Sequence, residues 1–487
     1  MLLGFIPMKK LLFVLVATSL FSSAAISADI KDLYTILFVL DGTPKDLLYS
    51  EIENGELKNI REYFWDNCAH SRATMTTFPA SSAPAYQSFI TGLFAGHSGI
   101  PYLQWFDRTS QKSIDYLGLD YLAVDEHLWN MEAILNPGIK SDDYPVTIFD
   151  KLQEKNHLSA SIYSEVSKGA TVKEHINLLG ALKDVFLTTQ YENFDMRAAK
   201  RLMKAFNKEP DQIPRFSLIG LYGADVMQHK EKTGSENAKL VLKQFDIYLG
   251  EFISFLKEKG IFDKTYIVIT ADHGMHDIDS EIKLGELFKK AGLKVKKTNL
   301  KSEDADIFVS ERGVSSAHIY VKGDKVPSIK NTNSEPSYRD TGLDGRPTFE
   351  KMTNYPVKER TINIVKLLYN EPNIDLVAAR NGNNMVEVFS KDCHSTIKKI
   401  FFNGKWYYGY QFERCDPLNY CNDREKKQIC NGSLYDDKVW LNETYDSPYP
   451  DGVVQLGQIF DDGRSGDIFL SSNRGGFFRE KVKTMVR

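Results

Sequence analysis

Short apolar runs closed by glycine or charged turns recur along this chain, most clearly at 34–40, 158–163, 215–222 and 265–271. Runs of this length suit buried strands better than helices. Helical periodicity lies between them. It is plainest at 236–258, where Leu240, Leu242, Phe245, Leu249, Phe252, Ile253 and Leu256 form an apolar stripe and Gly260 ends it. Strands alternating with helices predict an α/β fold: a mostly parallel central sheet with helices on both faces.

Two stretches break this rhythm. Residues 93–150 are irregular and aromatic (Tyr102, Trp105, Phe106, Tyr116, Tyr121, Trp129), which suits either a base-stacking loop or core packing. From about 300 to 440 the pattern is again less regular. A helix is expected near 359–370, and hairpins around MVEVF and KIFFNGKWYYGY, the latter turning at Asn403-Gly404. The expected organisation is therefore a leader at 1–28, a catalytic α/β core at 29–300, an inserted cap or lid at 301–440, and a return to the core at 441–487.

Composition changes this picture little. Of 487 residues, 42% are hydrophobic and 26% charged, ordinary for a globular protein, and the net charge of −4 comes without a Lys/Arg block, so no nucleic-acid-binding surface is expected. The amino terminus is more informative. Lys9 and Lys10 precede LLFVLVATSLF and then SSAAISA, the form of a secretory signal peptide too short to span a membrane. A periplasmic or secreted product follows, with no membrane span after cleavage near residue 28. Four of five cysteines fall late, at 393, 415, 421 and 430, without CxxC spacing. One or two disulfides are expected there, leaving Cys68 as the odd thiol, buried or unpaired. The sequence gives no oligomeric state.

The chemistry gathers at strand ends. Asp41 closes YTILFVLDG, Asp225 and His229 follow RFSLIGLYGAD, and Asp272 and His273 end TYIVITADHG. In a parallel α/β sheet those ends form the ligand crevice. A four-residue spacing puts Asp225 and His229 on one helical face, a carboxylate–imidazole pair suited to a divalent ion. Asp272 and His273 are neighbours that reach one ion only where the strand turns, which Gly274 permits. Ser82 precedes APAYQSFITG. Pro84 suits a first helical turn, so a hydroxyl at 82 sits at the positive end of a helix, where a phosphoryl group is favoured.

In this order, LDG, SSAPAYQSFITGLFAGHSGI, YGADVMQH and TADHGM resemble the alkaline phosphatase superfamily, and most nearly its type I phosphodiesterase/nucleotide pyrophosphatase branch, over roughly 33–290. The resemblance implies two divalent metal ions, zinc in that family. One is held by Asp41, Asp272 and His273 with the nucleophile as bridge, the other by Asp225, His229 and one more histidine. Ser82 matches the nucleophile, ten positions before the glycine of TG; Thr77, in TFP, lies too far from it. Tyr86 stands where the sulfatase pattern has Arg. The implied function is an exported phosphomonoesterase or phosphodiesterase acting on a small phosphate ester or nucleotide through a phosphoseryl intermediate. The family's last metal-binding histidine has no match. His276, His318 and His394 lack its context, and the carboxyl end is expected to be truncated or degenerate. The alternative expectation is thus a non-catalytic or weakly active member serving as a binding or surface module.

Overall fold

The computed structural model describes residues 33–72, 74–116, 124–127, 145–175, 192–296, 304–324, 326–328, 337–339, 343, 345–421 and 426–478. The expected leader, Tyr121 and Trp129 lie outside the described residues.

Five strands form the first sheet: β1 (Tyr34–Leu40), β2 (Ser159–Ile162), β3 (Val172–Glu174), β4 (Phe216–Leu221) and β5 (Thr265–Thr270). Their order is β3-β2-β4-β1-β5 and every pairing is parallel. β1 shows why it lies inside. Ile36, Phe38 and Leu40 enter a core with α2 (Glu192–Phe206) and α4 (Glu236–Glu258). Val39 faces the other way, onto α1 (Ser82–Thr91). Both faces of the strand are thus buried, as parallel strands require.

In α4 the core-facing residues are Ala238, Val241, Leu242, Phe245, Leu249, Phe252, Ile253 and Leu256. Leu240 is not on the buried stripe; it is 53% exposed and shares the outer face with Ile247, seven residues on. At about 100° per residue, Leu240 cannot face the sheet beside both Val241 and Leu242. The aromatic stretch contains a hairpin, Gln104–Asp107 against Lys112–Asp115. Trp105, Phe106 and Tyr116 pack into the core behind β1 and β4, and Tyr102 is also buried, so these four serve the core.

The second sheet has eight strands: β6 (Ile307–Ser310), β7 (Ser316–Val321), β8 (Ile374–Asn381), β9 (Met385–Ser390), β10 (Cys393–Phe402), β11 (Lys405–Glu413), β12 (Asn431–Tyr435) and β13 (Ile468–Ser472). They are antiparallel in the order β12-β11-β10-β9-β8-β13-β7-β6. β13 comes from the 441–487 stretch and lies between β8 and β7. The β10–β11 turn places Asn403 and Gly404 at φ 51° and 76°, the primed geometry that a two-residue hairpin turn needs. The helix expected over 359–370 covers only Ile364–Tyr369. Arg360–Ile362 pairs instead with Tyr355–Val357, and the Asn363 side chain caps the helix start by accepting from Lys366 N at 2.7 Å.

Disulfides Cys393–Cys415 and Cys421–Cys430 brace this sheet. Cys68 is unpaired and exposed rather than buried. Among the described residues, no helix is long and apolar enough to cross a membrane.

Candidate active site

The carboxyl ends of β2, β4, β1 and β5 lie side by side in that order, so residues just beyond each strand meet above the sheet. Asp41 follows β1 directly and its N–H donates to Leu221 O at the end of β4, 2.9 Å away. Asp272 and His273 follow β5. Asp225 and His229 lie on α3 (Gly223–Lys230), which begins two residues after β4. Asp195 on α2 holds the start of that helix, accepting from Tyr222 N at 2.8 Å and Gly223 N at 3.1 Å. Burial pushes the Asp195 carboxyl up to about 7 despite those donors.

Ser82 opens the ten-residue α1 behind an extended Ser81, and Gly92 closes the helix at φ 70°. Ser82 Oγ lies 3.2 Å from His273 Nε2. That nitrogen is 3.3 Å from Asp272 Oδ2 and 3.9 Å from Asp41 Oδ1. His273 Nδ1 sits 2.9 Å from the Gly274 carbonyl. A carbonyl only accepts, so Nδ1 carries the proton and the Nε2 lone pair points at the serine and carboxylates. His229 Nε2 pairs with Asp225 Oδ1 at 3.4 Å on the more open side. Donor atoms of Asp41, Asp225 and His273 all lie within 4.8 Å of one another. The six residues singled out from sequence therefore share one crevice.

Backbone contacts fix these carboxylates. Gly42 N donates to Asp272 Oδ1 at 3.0 Å, and Gln228 on α3 donates to Gly42 O at 3.1 Å. Thr76 Oγ1 donates to the Asp272 carbonyl. Gly42 has φ +61°, and a Cβ there would meet Asp225 Oδ1 at 2.4 Å. Only glycine allows both the turn and the close approach of Asp225.

The donor set fits divalent ions. Asp41 Oδ2, Asp225 Oδ1 and Asp272 Oδ2 are buried and make no hydrogen bond. Interior carboxylate oxygens that accept no hydrogen bond are costly unless a cation faces them. The Asp41 carboxyl is raised well above its ordinary range, first by burial and then by Asp272, Asp225 and Glu165. Glu165, three residues past β2, is pushed up to about 8, again by burial first and then by Asp272. Burial opposes a charged His273, but Asp272 and Asp225 outweigh it and raise its pKa. Carboxylates and imidazoles at this spacing are the ligand types of zinc and related ions.

Sequence reasoning missed Glu165. It too follows an apolar run, but without the neighbouring His or Gly that marks the other strand ends. Thr77 makes no hydrogen bond through its buried Oγ1, and it is Ser82 that meets His273. Tyr86, in the position of the sulfatase Arg, is buried and stacks on Tyr222 with ring centroids 6.0 Å apart.

The three other histidines have their own surroundings. His318 is buried in β7 between Tyr102 and Phe469. His394 pairs with Glu387 at 2.9 Å on the second sheet. His276 turns Nδ1 to the Asp277 carbonyl at 3.0 Å, in a loop that reaches α3's end where Thr233 N donates to Asp277.

The sequence model of the type I phosphodiesterase / nucleotide pyrophosphatase family matches residues 35–375. The chain belongs to this family. As a type I phosphodiesterase / nucleotide pyrophosphatase relative it falls within the alkaline phosphatase superfamily, as the motif order implied. It is 26% identical to human ectonucleotide pyrophosphatase/phosphodiesterase family member 5 over 270 residues, 55% of this chain and 50% of that one. It is 24% identical to human bis(5'-adenosyl)-triphosphatase ENPP4 over 241 residues, 49% of this chain and 47% of that one. The chain thus spans about half the length of the curated relatives it matches. In fold it is similar to the solved human ectonucleotide pyrophosphatase / phosphodiesterase 5, with TM-score 0.52, 14% identity, and coverage of 93% of this chain and 81% of that one. The murine protein of the same name, solved in complex with AMP, gives TM-score 0.50 at 13% identity, covering 93% and 82%.

Proposed function

We propose that this chain is an exported, metal-dependent phosphate-ester hydrolase that works through a phosphoseryl intermediate on Ser82. The observation that carries the reading is the Ser82 Oγ–His273 Nε2 approach of 3.2 Å at a helix start, beside three carboxylates with unpaired oxygens. In this reading Asp41, Asp272, His273 and Ser82 would hold one ion, and Asp225 and His229 would hold the other. Such ions lower the pKa of a coordinated hydroxyl and neutralise charge building on the phosphoryl oxygens.

Ser82 gives up its hydroxyl proton to solvent and Oγ attacks phosphorus in line: the Oγ–P bond forms as the bond to the leaving oxygen breaks, and that oxygen takes up a proton from solvent as it departs. The free N–H groups at the start of α1 orient and stabilise the anionic phosphoryl group. Water then attacks from the vacated side, breaking Oγ–P and restoring the serine. The protonated Nδ1 of His273, held by the Gly274 carbonyl, keeps its ring aimed at the reacting oxygen throughout. The names of the relatives favour a nucleotide or other small phosphodiester as substrate, and the AMP complex of the murine protein points the same way. The second sheet is read as the cap. The charged, apolar and small-residue pattern of residues 9–28 and the late cystines support export.

The test is hydrolysis of p-nitrophenyl phosphate and bis-p-nitrophenyl phosphate by the full chain, with and without zinc. Faster zinc-dependent release from the diester is expected. Release from neither ester at any zinc concentration refutes the reading in favour of a binding module.

A further inference from the structure

We propose that Glu165 is a metal-ligating carboxylate of this centre, the contribution of the one adjacent strand end that the sequence motifs leave out. The inference rests on the metal-dependent reading above and adds a residue to it.

Sheet order is the first support. β2, β4, β1 and β5 are consecutive neighbours, and the segments beyond them carry Glu165, Asp225, Asp41 and Asp272. Glu165 thus lies past the same edge of the sheet as Asp225, Asp41 and Asp272. Its carboxylate acts electrostatically on Asp272, His273 and Asp225, and on Asp41.

The second support is an oxygen with nothing to bind. Glu165 Oε2 is shielded from solvent and makes no hydrogen bond. A structural glutamate in the interior is normally held by donors; one left bare toward other carboxylates is repelled by them. A cation removes both penalties at once.

The segment is also held in place. Ser161 Oγ donates to Val166 O at 2.7 Å, and Val166 N donates to Ser164 Oγ at 3.3 Å. Asp125 accepts from Ser167 N and Oγ at 2.8 and 2.6 Å. Tyr163, at φ +52°, breaks the strand just before. The glutamate is therefore presented from a fixed turn, as a ligand needs to be. It adds a fourth carboxylate to those of Asp41, Asp225 and Asp272 at this end of the sheet.

The experiment uses the full chain stripped of metal: wild type, Glu165→Gln and Asp272→Asn, each titrated with zinc by calorimetry and melted with and without metal. Glu165→Gln is expected to weaken the weaker-bound zinc at least about 10-fold. Its metal-free form should melt at or above the wild-type temperature, because a shielded carboxyl without a hydrogen-bond donor has gone, while its zinc-induced rise in Tm shrinks. Wild-type zinc affinity in Glu165→Gln overturns the proposal. So does a loss of affinity accompanied by a lower metal-free Tm, which marks a structural glutamate. The Asp272→Asn arm separates the two levels: if it loses zinc while Glu165→Gln does not, this inference alone fails; if neither loses zinc, the metal centre itself is refuted.

Discussion

Ser82 Oγ and His273 Nε2 stand 3.2 Å apart although 191 residues separate them in sequence. One opens a helix packed behind β1 and the other follows β5, the strand that pairs with β1.

Gly42→Ala should disturb the centre without touching a ligand. The new Cβ would sit 2.4 Å from Asp225 Oδ1 at a φ of +61°, so Asp225 must move. We expect a stability loss on the order of 1–3 kcal/mol and weaker zinc binding. Thermal melting and zinc titration check this; unchanged zinc affinity would show that Asp225 is not held by that turn.

Metal removal should lower stability through charge. Asp41, Asp225 and Asp272 keep buried oxygens that accept no hydrogen bond, so a chelator should lower Tm and zinc should restore it, the gain rising with the logarithm of free zinc above Kd. Scanning calorimetry across a zinc series reads this directly, and a Tm that ignores zinc contradicts it.

His318 should contribute an acid limb to stability. Burial pushes its pKa down to about 3, from an unfolded value near 6.5. Between those values the unfolded chain binds more protons, so stability falls as pH drops through that window and is flat above it. The contribution amounts to roughly 2 kcal/mol between pH 7.5 and pH 5. Chemical denaturation at both values, wild type against His318→Gln, should show a shallower acid loss in the variant. Equal loss in the two would place the titration elsewhere.

Thiol titration of the unreduced, denatured chain should find one free cysteine, Cys68, and five after reduction. Five without reductant would remove both disulfides.

Much of the site was legible because its residues break a local pattern. Asp41, Asp225 and Asp272 end or directly follow apolar runs that would otherwise bury charge, and Gly42 and Gly274 mark the turns. Glu165 gave no such mark: it lies past its strand with Ser164 and Val166 as neighbours, and only the sheet order places it past the same edge as the other carboxylates. The first sheet followed from strand–helix alternation. The second depends on pairing between distant segments, such as β13 between β8 and β7, which local periodicity does not encode. Leu240 shows the limit within one helix, where an apolar residue type was read as a buried one.

Ser82 is proposed as the nucleophile of a metal-dependent centre. Its most direct test is bis-p-nitrophenyl phosphate turnover during zinc titration of metal-free wild type and Ser82→Ala. Ser82 is the first residue of its helix and not the N-cap, which is Ser81, so the variant should fold normally and bind zinc, with Tm within a few degrees of wild type. Saturable, zinc-dependent release by wild type, with Ser82→Ala lower by at least about 10³-fold, is the predicted result. Equal turnover by the folded, zinc-bound variant would contradict the account and make Thr77 the next residue to test.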